Sequence, residues 1–179
     1  GESKQIREVI ELTLKAAESP QAPVLITGPS GSGKELIARV LHFAGPRRDN
    51  VFFPVNCSAI PETLMESELF GHKKGAFTGA NEDKDGLFSK TDRGTLFLDE
   101  IGELSSNAEA KLLRVLKEMK FRKIGGNKDI NVNIRVLAAT NKNIHELIKK
   151  NQFREDLYYR LNTFEIYLPV SSGPAAVEN

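Results

Sequence analysis

Gly28, Gly33 and Lys34 stand in the run "VLITGPSGSGKEL" at the G-x4-G-K spacing, directly after an apolar strand-like segment and directly before a helical period. Glycines in such a turn let backbone N–H groups face a phosphate. The following helix end adds its positive pole, and the lysine brings a point charge to the β and γ oxygens of a nucleotide. Gly28, Pro29, Ser30, Gly31, Ser32, Gly33, Lys34, Glu35 and Leu36 are therefore the expected nucleotide cradle. Glu35 takes the place of the usual Ser or Thr after the lysine. A hydroxyl ligand for magnesium is absent at that position, so a carboxylate or water must be considered in its stead.

The run "GTLFLDE" ends in Asp99 and Glu100. A strand closing on two acids fits the second half of a phosphate site: Asp99 would hold the hydration shell of Mg²⁺, and Glu100 would polarise an attacking water. Acidic pairs after strands also cap helices, so the weight of this pair comes from the phosphate loop upstream. Thr140 and Asn141 close "AATN"; such side chains orient a water or sense a γ-phosphate, or do no more than shape a strand-end turn. Arg154 and Arg160, six apart in "FREDLYYRL", do not share a helical face. They serve two different contacts, or are surface arginines paired with Glu155 or Asp156. Cys57 reads as a small core hydrophobe beside Val55, and His42, His72 and His145 are too dispersed for a metal role.

Residues 72 to 85, "HKKGAFTGANEDKD", pose a different problem. Gly75, Ala76, Phe77, Thr78, Gly79 and Ala80 set one large apolar ring on a small-residue loop, with lysines before it and acids and amides after it. Neither helical nor strand periodicity runs through this stretch.

These residues need elements to carry them. Ile6, Val9, Ile10 and Leu14 fall at helical spacing, and Pro20 and Pro23 stop that element before the strand "VLITG". "ELIARVLHF" is helical and "VFFPVNC" is a second strand. Pro61 sits at a first helical position, Leu64, Met65 and Leu69 share a face, and Gly71 supplies the stop. "GTLFLDE" is apolar on both faces, as an interior parallel strand should be. Ser106 with Glu109 reads as a capping box opening a helix that carries Leu112, Leu113, Leu116 and Met119. A hairpin or loop around Gly125 and Gly126 follows, then the strand "IRVLAATN", the helices "NIHELIKK" and "FREDLYYRL", and a fifth strand, "TFEIYLP". Repeated alternation of strand and helix implies an α/β sheet covered on both faces.

Composition bounds the partners. With 179 residues and 40% hydrophobic content the chain supports one sizeable core. Lys+Arg 25 against Asp+Glu 24 gives a formal net charge of +1, so no global field favours nucleic acid or an anionic membrane. A single cysteine excludes an internal disulfide. No apolar run reaches the ~18 residues of a spanning helix, and the start shows no leader pattern, which favours the cytoplasm.

The motifs "GPSGSGKE", "ELFGHKKGAFTGA", "GTLFLDEIGEL", "AATN" and "FREDLYYRLN", in that order, closely resemble the central AAA+ domain of bacterial sigma-54-dependent enhancer-binding proteins, the NtrC family. GAFTGA is the most specific of them. The resemblance implies that this loop moves with nucleotide state and presses on sigma-54 in closed promoter complexes, with Phe77 and Thr78 making the contact. It also implies that ATP and Mg²⁺ bind at Lys34 and its loop, that Asp99 and Glu100 form the Walker B pair, and that Thr140 and Asn141 lie at sensor I. Asn56 matches a position that holds the Walker B glutamate in alternative states. Arg154 and Arg160 match fingers donated to a neighbouring subunit, which implies a ring, hexameric or heptameric. Glutamate after the P-loop lysine is common in the family.

Two departures stand out. Lys73 replaces the glutamate usual before GAFTGA, and the expected "PLRER" run and helical lid do not follow "YLP". The expectation is therefore a three-layer αβα P-loop NTPase core with a mainly parallel five-stranded sheet, over residues 1–169 and without its lid. Residues 170–179 should form a loop or disordered tail. The expected function is ATP-driven remodelling of the sigma-54 RNA polymerase complex in the bacterial cytoplasm, with DNA binding left to a separate domain. The alternative is a nucleotide-dependent interaction module with little turnover.

Overall fold

The computed structural model describes residues 3–170; residues 171–179, nearly all of the expected tail, lie outside the described residues. Nine strands are formed among the described residues: β1 (Val24–Thr27), β2 (Phe52–Asn56), β3 (Gly71–His72), β4 (Lys84–Asp85), β5 (Thr95–Asp99), β6 (Lys120–Phe121), β7 (Ile130–Asn131), β8 (Arg135–Thr140) and β9 (Phe164–Tyr167). Seven α-helices join them: α1 (Lys4–Ala17), α2 (Lys34–Phe43), α3 (Glu62–Phe70), α4 (Leu87–Lys90), α5 (Ser106–Glu118), α6 (Ile144–Lys149) and α7 (Glu155–Leu161). The main sheet has the order β2-β5-β8-β1-β9, and every pairing within it is parallel.

Strand periodicity explains the three layers. Along β1, β5, β8 and β9, Val24, Ile26, Phe97, Leu137, Ala139 and Ile166 face a core shared with α1 and α2. The alternate residues Leu25, Leu96, Leu98, Val136 and Ala138 face a second core with α3, α5 and α7. Each interior strand is thus apolar on both sides, because successive side chains point to opposite faces and neither face meets water.

The N-terminal end of the sheet is closed by buried cations rather than by a binding site. Arg135, 2% exposed, donates to the carbonyls of Ala16 at 2.6 Å and Ala22 at 3.0 Å, at the end of α1 and just beyond it. Burial, and then the nearby Arg47 charge, push its guanidinium down to about 10. Arg47 donates to the carbonyls of Pro20, Gly94 and Asn133. Buried charge is tolerated when its donors find acceptors, and here these are backbone carbonyls together with the Asn133 side-chain oxygen, which accepts from Arg47 at 2.6 Å.

Two local expectations about helix starts are corrected. Pro61 is the N-cap of α3, which begins at Glu62, because its ψ of 138° is extended rather than helical. The cap of α5 is Ser105, whose hydroxyl accepts the Ala108 N–H at 3.2 Å, and Ser106 is the first helical residue. Glu109 is then one position too deep to reach back to the cap, and it is buried against α7 instead.

Candidate functional site

Parallel pairing brings the C-terminal ends of β5, β8 and β1 side by side, and the chemistry-bearing residues sit on those ends. The loop after β1 turns through Gly31 at φ 77° and Gly33 at φ 95°, and a methyl group on either would meet nothing within 4 Å. The space over the loop is open. Gly28 is the opposite case: a Cβ there would lie 2.6 Å from the Leu168 carbonyl oxygen, so glycine is required by close approach of the chain leaving β9. Lys34 bridges its own loop, donating from Nζ to the Gly28 carbonyl at 3.0 Å and the Pro29 carbonyl at 2.9 Å. Ser32 Oγ is buried with no hydrogen-bond partner among the described residues. A buried hydroxyl without a partner costs on the order of 1–3 kcal/mol, which suits a group completed by an incoming anion. Open glycines, a poised lysine and an unsatisfied hydroxyl fit a polyphosphate.

Beside this loop lies a cavity of about 370 Å³ lined by Ile6, Ile10, Leu36, Ile37, Leu168 and Pro169. Its apolar walls suit a flat heteroaromatic base. The helical period of α1 was legible in the sequence, but nothing local showed that Ile6 and Ile10 would border the phosphate loop.

Asp99 ends β5 in register with Asn56 on β2. Its Oδ1 accepts the N–H of Glu100 at 2.9 Å, and Glu100 takes a left-handed backbone, φ 54° and ψ 52°. Such a backbone in a non-glycine residue is strained by about 1–3 kcal/mol and clusters at functional positions. Burial, and then the Asp99 charge, raise the Glu100 carboxyl above its ordinary range, against the opposing pull of Lys34 and Lys142. A lone carboxylate at 99 suits a magnesium ion whose remaining ligands are water and phosphate oxygens. Asn56 is engaged elsewhere: its Oδ1 accepts from the Ser58 N–H at 3.0 Å and the Ser58 hydroxyl at 2.7 Å.

Thr140 Oγ1 accepts the Lys142 N–H at 3.0 Å, and Lys142 in turn pairs with Glu103. Asn141 Nδ2 donates to Ser30 Oγ at 2.8 Å, tying the end of β8 to the phosphate loop. Arg154 and Arg160 are not part of this cluster. Arg154 is the N-cap of α7 and Arg160 lies in its last turn, and neither lines the cavities that border the phosphate loop. The Arg154 guanidinium makes a two-pronged pair with Asp156, at 3.0 and 2.9 Å. Cys57 is buried, and burial with the charges of Asp99 and Glu100 pushes its thiol up to about 12, so it is a core residue and not a nucleophile.

The loop from Gly75 to Ala80 rises from the end of α3 and is clasped at its base. The Gly75 N–H donates to the Ala80 carbonyl at 2.8 Å, β3 pairs with β4, and Asp83 accepts the Lys74 N–H at 2.7 Å while pairing with Lys73 at 3.5 Å. Phe77 remains 41% exposed, its ring edge-on to His72 with centroids 4.9 Å apart. A second loop meets this one: the Lys73 N–H donates to the Ile124 carbonyl at 2.9 Å, in the connection between β6 and β7.

The family model described as Sigma-54 interaction domain matches residues 1–167. The Nif-specific regulatory protein of Azotobacter vinelandii is 51% identical over 169 residues, 94% of this chain and 32% of that protein. Regulatory protein AtoC of Escherichia coli is 52% identical over 167 residues, 93% of this chain and 36% of that protein. Response regulator protein PilR of Pseudomonas aeruginosa is 52% identical over 169 residues, 94% of this chain and 38% of that protein. The chain thus spans about a third of the length of these relatives. Among solved structures, NtrX of Brucella abortus in complex with ATP aligns with a TM-score of 0.85 and 33% identity, over 94% of this chain and 36% of that one. The P-loop NTPase domain of the sigma-54 transport activator from E. coli aligns at 0.63 with 18% identity, over 94% of this chain and 97% of that one, a likeness of fold.

Proposed function

The chain belongs to the sigma-54 interaction domain family and has the α/β core of a P-loop AAA+ NTPase; from that premise we propose that it binds and hydrolyses ATP and converts the cycle into movement of the loop from Gly75 to Ala80 against sigma-54. The observation that carries the proposal is the convergence of the phosphate loop, the Asp99–Glu100 pair and Thr140–Asn141 on three adjacent parallel strand ends. Ligands of open α/β sheets bind in that position, outside the carboxyl ends of the strands.

Lys34 leaves its two loop carbonyls and moves to the β and γ oxygens, while Gly31 and Gly33 turn backbone N–H groups to the phosphates. The base lies in the apolar cavity against Ile6 and Ile10. Glu100, its carboxyl raised by burial and the Asp99 charge, orients and deprotonates the attacking water. Asn141 and Thr140 hold that water or register the γ-phosphate. Asp99 would hold a magnesium ion, which would supply charge neutralisation at the phosphates. Asn56, released from Ser58, is the alternative partner for Glu100. Arg154 and Arg160 reach the site of a neighbouring copy, which makes turnover depend on a ring of six or seven subunits. Phe77 and Thr78 are the contact with sigma-54. The protein acts in the bacterial cytoplasm, with DNA contacts made by a separate domain.

The reading is tested by ATP hydrolysis measured across protein concentrations, for the wild type and Lys34→Ala. Turnover per subunit should rise with assembly, and Lys34→Ala should lose nucleotide binding because the phosphates lose their main protein counter-charge. Unchanged ATP affinity in Lys34→Ala removes the phosphate-loop assignment. Tight binding with flat, slow turnover at every concentration supports instead an interaction module of low turnover.

A further inference from the structure

We infer that Glu109 is a positioning residue for Arg154: its carboxylate fixes the stretch of backbone from which the arginine is presented. The inference rests on the reading of Arg154 as an arginine that serves a neighbouring copy. Glu109 lies one turn inside α5, only 3% exposed, and its Oε1 accepts the Arg154 N–H at 2.8 Å. A carboxylate is rarely buried to this degree without a specific partner. Burial raises its carboxyl above the ordinary range, partly offset by the Arg154 N–H. Protonation would fall on one oxygen and leave the other as an acceptor, so the contact holds in either state.

The partner is an N–H that the helix cannot satisfy by itself. Arg154 is the N-cap of α7, with φ −74° and ψ 127°, and N–H groups at a helix start have no acceptor in the helical ladder. The three residues before it are pinned as well. The Asn151 N–H donates to the Ile148 carbonyl at 3.0 Å, the Gln152 N–H to the Leu147 carbonyl at 2.8 Å, and the Phe153 ring is buried in the core with Leu157 and Leu161. Glu109 adds the last fixed point, directly under the arginine. Asp156 holds the guanidinium, and its Oδ1 also accepts the Leu157 N–H at 2.8 Å. The two carboxylates divide the work: one sets where the side chain starts, the other where its head rests until it is drawn away. A long side chain magnifies any rotation at its base, and displacement of a reacting group by ~1 Å can cost about a hundredfold in rate.

The test uses the full-length protein, with steady-state ATP hydrolysis at concentrations that saturate assembly. Glu109→Met keeps the length of the side chain and removes the carboxyl acceptor, while Glu109→Gln keeps an acceptor. Glu109→Met should lower kcat about tenfold or more with KM changed less than about twofold, and Glu109→Gln should stay within about twofold of wild type. Mixing Glu109→Met with Lys34→Ala should restore turnover beyond the sum of the two alone, because an intact arginine from one then meets an intact pocket in the other. Wild-type kcat in Glu109→Met, alongside loss of turnover in Arg154→Ala, overturns this inference and leaves the proposed function standing. Retained assembly-dependent turnover in Arg154→Ala overturns both. A raised KM, failure of Gln to substitute, or no gain on mixing assigns Glu109 to its own pocket or to the fold and equally overturns the inference. Glu109→Ala carries the same expectations if the Met side chain does not pack.

Discussion

Gly125 and Ala76 meet so closely that a methyl group built on Gly125 would lie 2.7 Å from the Ala76 Cβ. The contact joins the connection between β6 and β7 to the loop that carries Phe77. Gly125 also has φ 74°, a backbone that a side chain resists by about 1 kcal/mol. Gly125→Ala should therefore lower stability by at least that order, displace the Phe77 loop and weaken sigma-54 capture, with nucleotide affinity preserved. Thermal melting and a sigma-54 binding assay read the two effects separately. Wild-type behaviour in both would show that the loops part freely.

Glu100→Gln should hold ATP and hydrolyse it slowly. The amide retains the size of the carboxyl but cannot take the proton of the attacking water, a contribution of about a hundredfold or more. Nucleotide affinity by titration and single-turnover hydrolysis decide the matter; normal turnover would remove Glu100 from the role of base.

Phe77→Ala and Thr78→Ala should leave ATP hydrolysis near the wild-type rate and abolish sigma-54-dependent promoter opening. Phe77 is 41% exposed and touches His72 with one edge, so its removal opens no cavity. The expected stability loss is below about 1.5 kcal/mol, against roughly 3–5 for a buried aromatic. A loss in the larger range identifies the ring as part of the core.

Acid should weaken the fold through His42. Its Nε2–H donates to the Asn50 carbonyl at 3.0 Å, so Nδ1 accepts from the Thr95 hydroxyl at 2.7 Å and the ring is neutral. Burial first, then the charges of Arg135 and Arg47, hold its pKa below the ordinary 6.5. The unfolded chain therefore takes up this proton before the folded one does. The stabilising contribution is complete above 6.5 and declines as pH falls toward the folded value. Melting temperatures from pH 7.5 to 5.5 should fall more steeply in the wild type than in His42→Asn, and parallel slopes would exclude His42 as the cause.

What was legible in the sequence was local in the chain. The phosphate loop, the acid pair after β5 and the polar pair after β8 each declare themselves within a few residues, because strand end and chemical group are contiguous. The five parallel strands follow from the same alternation. What stayed hidden depends on partners far along the chain. Glu109 reads as half of a capping box until α7 is packed beside it. The pairing of Lys73 with Asp83 appears only when the stretch between them folds back. Gly125 looks like an ordinary turn glycine until Ala76 arrives 49 positions from the other direction, a separation read from the two residue numbers. Arg154 pairs with Asp156, one of the two acids the sequence offered it.

The strand order has a consequence for synthesis of the chain. β1, which carries the phosphate loop, precedes the other four strands of its sheet along the chain, yet its two sheet neighbours are β8 and β9. Until residue 140 has emerged the first strand has no parallel partner, and until residue 167 it is an open edge. Domains generally fold as units during translation, and pairings this distant form late. An ATP-competent loop can therefore exist only on a polypeptide whose later strands have been made. Nascent-chain complexes stalled before β8 should not retain nucleotide.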